Sequence, residues 1–326
     1  MKQIRLENFR CYTDQTIEFR SGINLLIGDN ASGKTTILKA CKYVLSAFFV
    51  GFSDENTRLI SPSIDDFQQI IKNGVILPER PVLIHFNIND IFTENSICNN
   101  RNYLLKEYYL KKNSKKNSRA LIDGIKEYKL YSRDLQSSFT DSSGTQNIAL
   151  PMFACFSTED IHSTRKIDKK KFKQYNQKNS FGYYECLDGN GFFPYWLQRL
   201  LILEEGKKNA DEVEIVRRTI IKVLGVGGCN IIKNVDIRPI QKKVYYILSD
   251  DREVEAEQLS DGYRRLVNIV TDMAFRCALL NRAKYGLEAC EKTIGTVLID
   301  EIDMHLHPSL QSCVLKALRL GFPKIQ

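Results

Sequence analysis

The 326-residue sequence predicts an α/β protein, a mixed sheet with flanking helices, and three observations carry that expectation. An apolar run at 23–27 leads into a loop containing Gly28 and Gly33, and apolar residues at helical spacing follow it. A second apolar run, Thr296-Val-Leu-Ile299, ends in two acids, Asp300 and Glu301. Between them, Leu259-Ser-Asp-Gly262 opens a long helical pattern that runs to about Leu280.

The first fifty residues read strand, strand, strand, loop, helix. Ile4 and Leu6 alternate with polar neighbours, as do Ile17 and Phe19, which is the period of a half-buried strand. Beyond Lys34, the residues Ile37, Leu38, Cys41, Val44, Leu45 and Phe48 fall on one helix face, predicting a helix packed on the sheet. In the middle of the chain, strands are expected at 81–89, 127–131 and 149–156, helices around 193–204 and 210–224, and a turn at Gly225-Val-Gly-Gly228. No heptads are sustained there, so the stretch reads as a compact lobe and not a coiled-coil arm. Towards the end, 244–248 and 294–299 are expected as strands, and Pro308 suits the first turn of a final helix that His307 opens.

Composition excludes several classes. Hydrophobic residues make up 43% and charged residues 26%, as in ordinary folded chains. No run of about 18 apolar residues occurs, so no membrane span is expected. The N-terminus alternates and lacks the apolar core of a secretion signal. Nine scattered cysteines without a C-x-x-C pair suit reduced, mostly buried thiols in a cytoplasm, not a disulfide framework or a zinc site. The net charge of +8 is concentrated: residues 101–180 hold 17 Lys+Arg against 8 Asp+Glu, a net +9. Its densest blocks are 111–119 and 165–173. Charge alone leaves open a solvated insert or a patch for nucleic-acid phosphates or an acidic partner.

Gly28-Asp29-Asn30-Ala31-Ser32-Gly33-Lys34-Thr35 fits G-x-x-x-x-G-K-[ST] without a mismatch, and the loop runs on to Thr36. The glycines let the backbone curl so that N–H groups point at phosphate oxygens, and the following helix adds its positive end. Lys34 is expected to neutralise the β- and γ-phosphates of ATP, and Thr35 to ligate Mg²⁺ through its hydroxyl. The strand at 296–299 delivers Asp300 to a sheet edge, where it can hold Mg²⁺. Glu301 then lies beside the γ-phosphate and polarises the attacking water. The plainer alternative is a strand that merely ends in two acids at a turn. Ser260 before Gly262 offers a hydroxyl and unpaired helix N–H groups to an anion, and here the plainer alternative is an ordinary N-cap.

Together these elements resemble the ABC-type ATPase heads, in the soluble branch that includes RecF and the structural-maintenance-of-chromosomes (SMC) heads. Ile4-Arg-Leu-Glu-Asn8-Phe9-Arg10-Cys-Tyr12 is similar to that branch's first strand and its "NFR" turn. Asp300-Glu301-Ile-Asp-Met304-His305-Leu306-His307-Pro308 is similar to its Walker B segment and D-loop. Leu259-Ser-Asp-Gly-Tyr-Arg264, Phe181-Gly-Tyr-Tyr184 and Leu306-His-Pro308 resemble the AAA-family ATPases of bacterial anti-phage defence operons, the PtuA type of Septu and retron systems. The clear resemblance covers 1–50 and 255–326, with weaker echoes at 181–200.

The resemblance implies a P-loop NTPase head with an inserted basic α+β lobe. A first lobe spans 1–90, the insert 91–245, and 246–326 carries the signature helix, Walker B strand and D-loop. It implies that Ser260 and Gly262 contact the γ-phosphate held by a second subunit, so that a homodimer or higher homo-oligomer is the active form. Met304 and His305 then lie at that interface, Arg10 lies close to the nucleotide, and an HNH-type nuclease is the expected partner. Alternatives are a RecF-like repair ATPase that binds DNA directly, and an ATP-binding scaffold that does not hydrolyse. Three departures stand out. Asp261 replaces a glycine usual in transporter signatures, and no convincing Q-loop glutamine occurs, Gln146 being the nearest candidate. The family's γ-phosphate histidine is not found before Gln326, since His305 and His307 come too early, so binding is expected to survive while turnover suffers.

Overall fold

Ile4, Leu6 and Phe9 are buried on Gln3–Phe9 (β1), the strand around which the first half of the protein is assembled. The computed structural model describes residues 1–53, 57–88, 107–113, 123–140, 148–158, 179–189, 192–206 and 210–326. They fall into two units, 1–148 with Gln326, and 149–325.

In the first unit β1 pairs antiparallel with Tyr12–Glu18 (β2) on one side and Val82–Asn87 (β5) on the other. β5 pairs with Tyr108–Lys112 (β6), giving the order β2-β1-β5-β6. Gln69–Lys72 (β3) and Val75–Pro78 (β4) form a separate hairpin that turns over Asn73-Gly74. Lys34–Ser46 (α1) buries Ala40, Cys41, Val44 and Leu45, and Tyr43 meets Phe9 edge-on with ring centroids 6.2 Å apart. Lys126–Thr140 (α2) adds Tyr128 and Tyr131, with Tyr128 6.4 Å from Phe48.

Two expectations fail here. Residues 127–131 are helical, within α2, not a strand. The buried set Tyr128, Tyr131, Ser132 and Leu135 recurs at three and four residues, the period of a helix face. The strand expected at 23–27 is also absent. Among the described residues this segment pairs with no strand, and Ile23, Leu25 and Ile27 are exposed at 40%, 56% and 85%. Alternation supplies side chains for a sheet face, but a strand also needs a neighbour for its N–H and C=O groups.

The second unit contains the parallel pair Met152–Phe156 (β7) and Gly295–Ile299 (β11), in register from Gly295 opposite Met152 to Ile299 opposite Phe156. Ile232–Arg238 (β8), Lys243–Leu248 (β9) and Glu253–Glu255 (β10) form an antiparallel sheet. The helices are Phe193–Gly206 (α3), Ala210–Leu224 (α4), Asp261–Tyr285 (α5), Ala289–Lys292 (α6), Pro308–Gln311 (α7) and Val314–Gly321 (α8). The helices, the turn at 225–228 and the strands expected in this half all form, while β8 and β10 are additional.

α5 is the centre of this unit, with 18 of its 25 residues buried, so its polar side chains must find internal partners. Asp272 accepts from Trp196 Nε1 at 2.6 Å and from Arg276 Nε at 2.5 Å, and the Trp196 ring stacks on Phe275 with centroids 4.7 Å apart. The Asn281 amide exchanges two 2.8 Å hydrogen bonds with the backbone of Leu150, which ties α5 to the chain entering β7. Glu212 of α4 lies between Arg199 of α3 and Arg282 of α5, bonded to both.

Of the basic blocks, 165–173 lies outside the described residues, as do 114–119. Lys112 is buried on β6 and donates to Ser61 Oγ at 3.0 Å, so it belongs to the packing of the first unit and not to an exposed cationic patch. Among the described residues no helix is long and apolar enough to cross a membrane.

Replacing Asp272 with alanine leaves Arg276 without its carboxylate and the Trp196 N–H without its acceptor. Urea denaturation is expected to show a loss of about 3–5 kcal/mol. A loss below about 1 kcal/mol, the scale of an exposed pair, contradicts the central place given to α5.

Candidate functional site

The loop 28–33 ends on Gly33, the N-cap of α1, whose φ of 94° is left-handed. A Cβ at this position would lie 2.4 Å from Tyr12 Oη and 3.1 Å from Cys11 Sγ. Only glycine combines that backbone with so close an approach of the β1–β2 turn. No side chain caps α1, so its start keeps the N–H groups and partial positive charge that attract anions. Lys34 Nζ curls over the loop and donates to Gly28 O at 2.5 Å and Asp29 O at 2.7 Å. Asp29, Asn30, Ala31, Ser32 and Thr35 are exposed, whereas Thr36 is buried beneath them. An accessible loop, an uncapped helix start and an ammonium at the loop's mouth fit a polyphosphate anion.

Arg10 sits in the same β1–β2 turn with φ 52° and is fixed from behind by Asp66. Its Nε donates to Asp66 Oδ1 at 2.8 Å, and its backbone N–H donates to Asp66 O at 2.9 Å. Asp66 is fully buried and accepts four further hydrogen bonds: from Lys39 Nζ (2.7 Å), Tyr43 Oη (2.6 Å), Ser63 N (2.8 Å) and Ser63 Oγ (3.0 Å). Burial alone works against its ionisation, but the donors on Lys39, Tyr43, Ser63 and Arg10 outweigh that and hold its carboxyl at about 2. Burial, together with the hydrogen bond to Asp66, pushes the Tyr43 phenol up. Asp66 is absent from the sequence-level site. Its only local signal is the Ser63-x-x-Asp66 spacing of a capping box, which the structure realises.

In the second unit Ser260 is the N-cap of α5, yet its side chain makes no capping hydrogen bond. The position of an N-cap is therefore realised without its usual side-chain bond. A Cβ on Gly262 would lie 2.4 Å from His305 O, so this glycine admits the backbone of the 300–306 segment against the helix. Asp300 N donates to Phe156 O at 2.9 Å, which fixes it at the end of β11 beside β7. Glu301 is exposed with φ 48°, and His305 has φ 61°, two left-handed residues in one short segment. Met304 N returns to Glu301 O at 3.0 Å. His307 caps α7, its Nδ1 accepting from Ser309 N at 3.4 Å. The structure thus gathers Ser260, Gly262, Asp300, Glu301, Met304 and His305 in one unit, and the loop 28–36 with Arg10 in the other. Gln146 lies outside the described residues.

A family model described as an AAA domain matches residues 3–264, most of the chain. The chain belongs to the AAA domain family of ATPases. Within this family it is similar to the retron Vc95 probable ATPase of Vibrio cholerae serotype O1 biovar El Tor, with 25% identity over 378 aligned positions, covering 99% of this chain and 69% of that one. It is also similar to the Septu protein PtuA of Bacillus mycoides (strain KBAB4), 36% identical over 93 residues, 28% of this chain and 12% of the Septu protein. Among solved structures, ATP-bound RecF aligns with 99% of this chain and 91% of its own at 14% identity and a TM-score of 0.43. The AAA domain assignment and the retron and Septu relatives agree with the family that the motifs at 4–12, 28–36, 259–264 and 300–308 resemble.

Because the folded-state pKa of Asp66 lies below the ordinary carboxylate value, its contribution is fully present above about pH 4 and is lost as pH falls through about 2. The size is about 2 kcal/mol. Acid unfolding of Asp66→Asn is expected to lose that part of the slope while the variant is less stable at pH 7. An unchanged acid limb contradicts an ionised Asp66 at this junction.

Proposed function

We propose that this protein binds ATP at loop 28–36 and hydrolyses it as the nucleotide-driven subunit of a bacterial defence assembly, with two copies closing on ATP. The observation that supports this most strongly is the left-handed, uncapped Gly33 start of α1 with Lys34 held over the loop, in a chain whose family match spans 3–264. In this reading the N–H groups of Gly28, Asp29, Asn30, Ala31, Ser32 and Gly33 face the phosphates, Lys34 neutralises them, Thr36 supports the loop, and Arg10 contacts the nucleotide. Thr35 in the first unit would offer a hydroxyl to Mg²⁺, and Asp300 in the second would offer a carboxylate. Bound Mg²⁺ offsets phosphate charge and polarises the phosphoryl group.

Glu301 is the general base. Its exposed carboxylate takes a proton from the attacking water as ATP is cleaved to ADP and phosphate. Ser260 and Gly262 read the γ-phosphate held by the other copy. The Ser260 hydroxyl, which does not cap its own helix, is suited to that contact. Met304 and His305 line the surface where the copies meet. By this chain's resemblance to the anti-phage defence ATPases, the partner controlled by this switch is an HNH-type nuclease.

Light scattering with Mg²⁺ and ATP tests this reading. The Glu301→Gln variant is expected to turn over ATP about 10²-fold more slowly or less, and to accumulate as a dimer or larger assembly. A mass that nucleotide leaves unchanged, with ATP demonstrably bound, contradicts association as the switch and favours a scaffold that holds ATP structurally.

A further inference from the structure

We propose that Arg265 is a positioning residue for Glu301, coupling the helix turn that carries Ser260 and Gly262 to the backbone that presents the general base. The proposal rests on the ATPase reading above and gives a role to Arg265, at the end of the Leu259–Arg265 run, where the sequence reading gave none.

Arg265 lies on the second turn of α5 and is fully buried. A guanidinium removed from water is tolerated only where its N–H groups are satisfied. Here Nη1 donates to Glu301 O and Nη2 to Asp300 O, both at 2.5 Å. One planar fork therefore grips two consecutive carbonyls at the end of β11. These acceptors are backbone carbonyls, so the contact fixes where the chain runs. The carbonyl gripped by Nη1 belongs to a residue with φ 48°, a conformation that a non-glycine residue holds only when its surroundings enforce it.

Two neighbouring contacts extend the coupling. Gly262, one turn earlier on α5, packs directly against the carbonyl of His305. Arg264 reaches the other way, donating from Nη2 to Glu257 O at 2.6 Å and Leu259 O at 3.2 Å, which secures the chain that enters the helix. Adjacent arginines thus hold the segments on either side of the helix start. Movement of Ser260 and Gly262 on meeting a second copy is passed through Arg265 to the Asp300–Glu301 backbone. Lysine reproduces this only in part, because an ammonium can meet carbonyls but lacks the planar fork that fixes two of them in one orientation.

The full chain is tested as Arg265→Lys and Arg265→Met against wild type, measuring kcat, KM, equilibrium ATP binding, thermal unfolding and amide exchange at 300–305. The expected result is a kcat lowered about tenfold or more, because small displacements of a catalytic group carry large rate costs. ATP affinity is expected to stay within about twofold, since the phosphate loop is untouched, while amides at 300–305 exchange faster in both variants. The lysine variant retains more activity than the methionine variant. Equal kcat in wild type and variants overturns the proposal while leaving the ATPase reading intact. A fall in kcat matched by loss of ATP binding and of cooperative unfolding also overturns it, because Arg265 is then only a fold residue. Absence of turnover in the wild type overturns the ATPase reading itself and this proposal with it.

Discussion

Asp66 is a carboxylate with no access to water, tolerable only because five side-chain and backbone donors converge on it. Those donors come from the β1–β2 turn, from two positions on α1 and from the 63–66 turn, so one buried charge ties these pieces together. The same constraint orders the second unit. Arg265 and Asp272 are buried charges on α5, and their partners include the β11 terminus, Trp196 and Arg276. In both units removing a partner both strands a buried charge and releases a segment of the proposed site.

In the proposed reading the two units supply different groups for phosphate chemistry. The first offers donors: a left-handed glycine, a helix start without a capping side chain, and a lysine whose ammonium rests on loop carbonyls. Those carbonyl bonds hold the cation in place without neutralising it, which suits a group that must exchange weak acceptors for stronger anionic ones. The second unit offers acceptors, Asp300 and Glu301, on a backbone that α5 holds rigidly from behind. The close approach of Gly262 to His305 makes the helix start and the following segment one packed piece.

Much of this was legible in the sequence where local pattern and structure share a cause. β1, α1, α4 and β11 were readable because burial on one face leaves a period of two or of about 3.6 residues. The glycine at the start of α1 was readable because Gly33 holds a left-handed φ of 94° there. The segment 127–131 was misread because a five-residue window holding Tyr128 and Tyr131 suits either period, and only Leu135 on the next turn decides for a helix. The segment 23–27 was misread because alternation says nothing about whether a neighbouring strand exists. The tertiary roles of Asp66 and Arg265 were not legible, for another reason. Their partners lie 56 and 36 residues away, and nothing in local spacing says which buried charge will meet which backbone.

The most direct test of the central claim, that loop 28–36 is the ATP site, is titration calorimetry of ATP into the wild-type chain and Lys34→Ala. The account predicts saturable binding at one site per chain, weakened about tenfold or more when the lysine charge is removed, with the folded state intact by circular dichroism. Equal affinity in the two proteins, or no binding by a folded wild type, contradicts it.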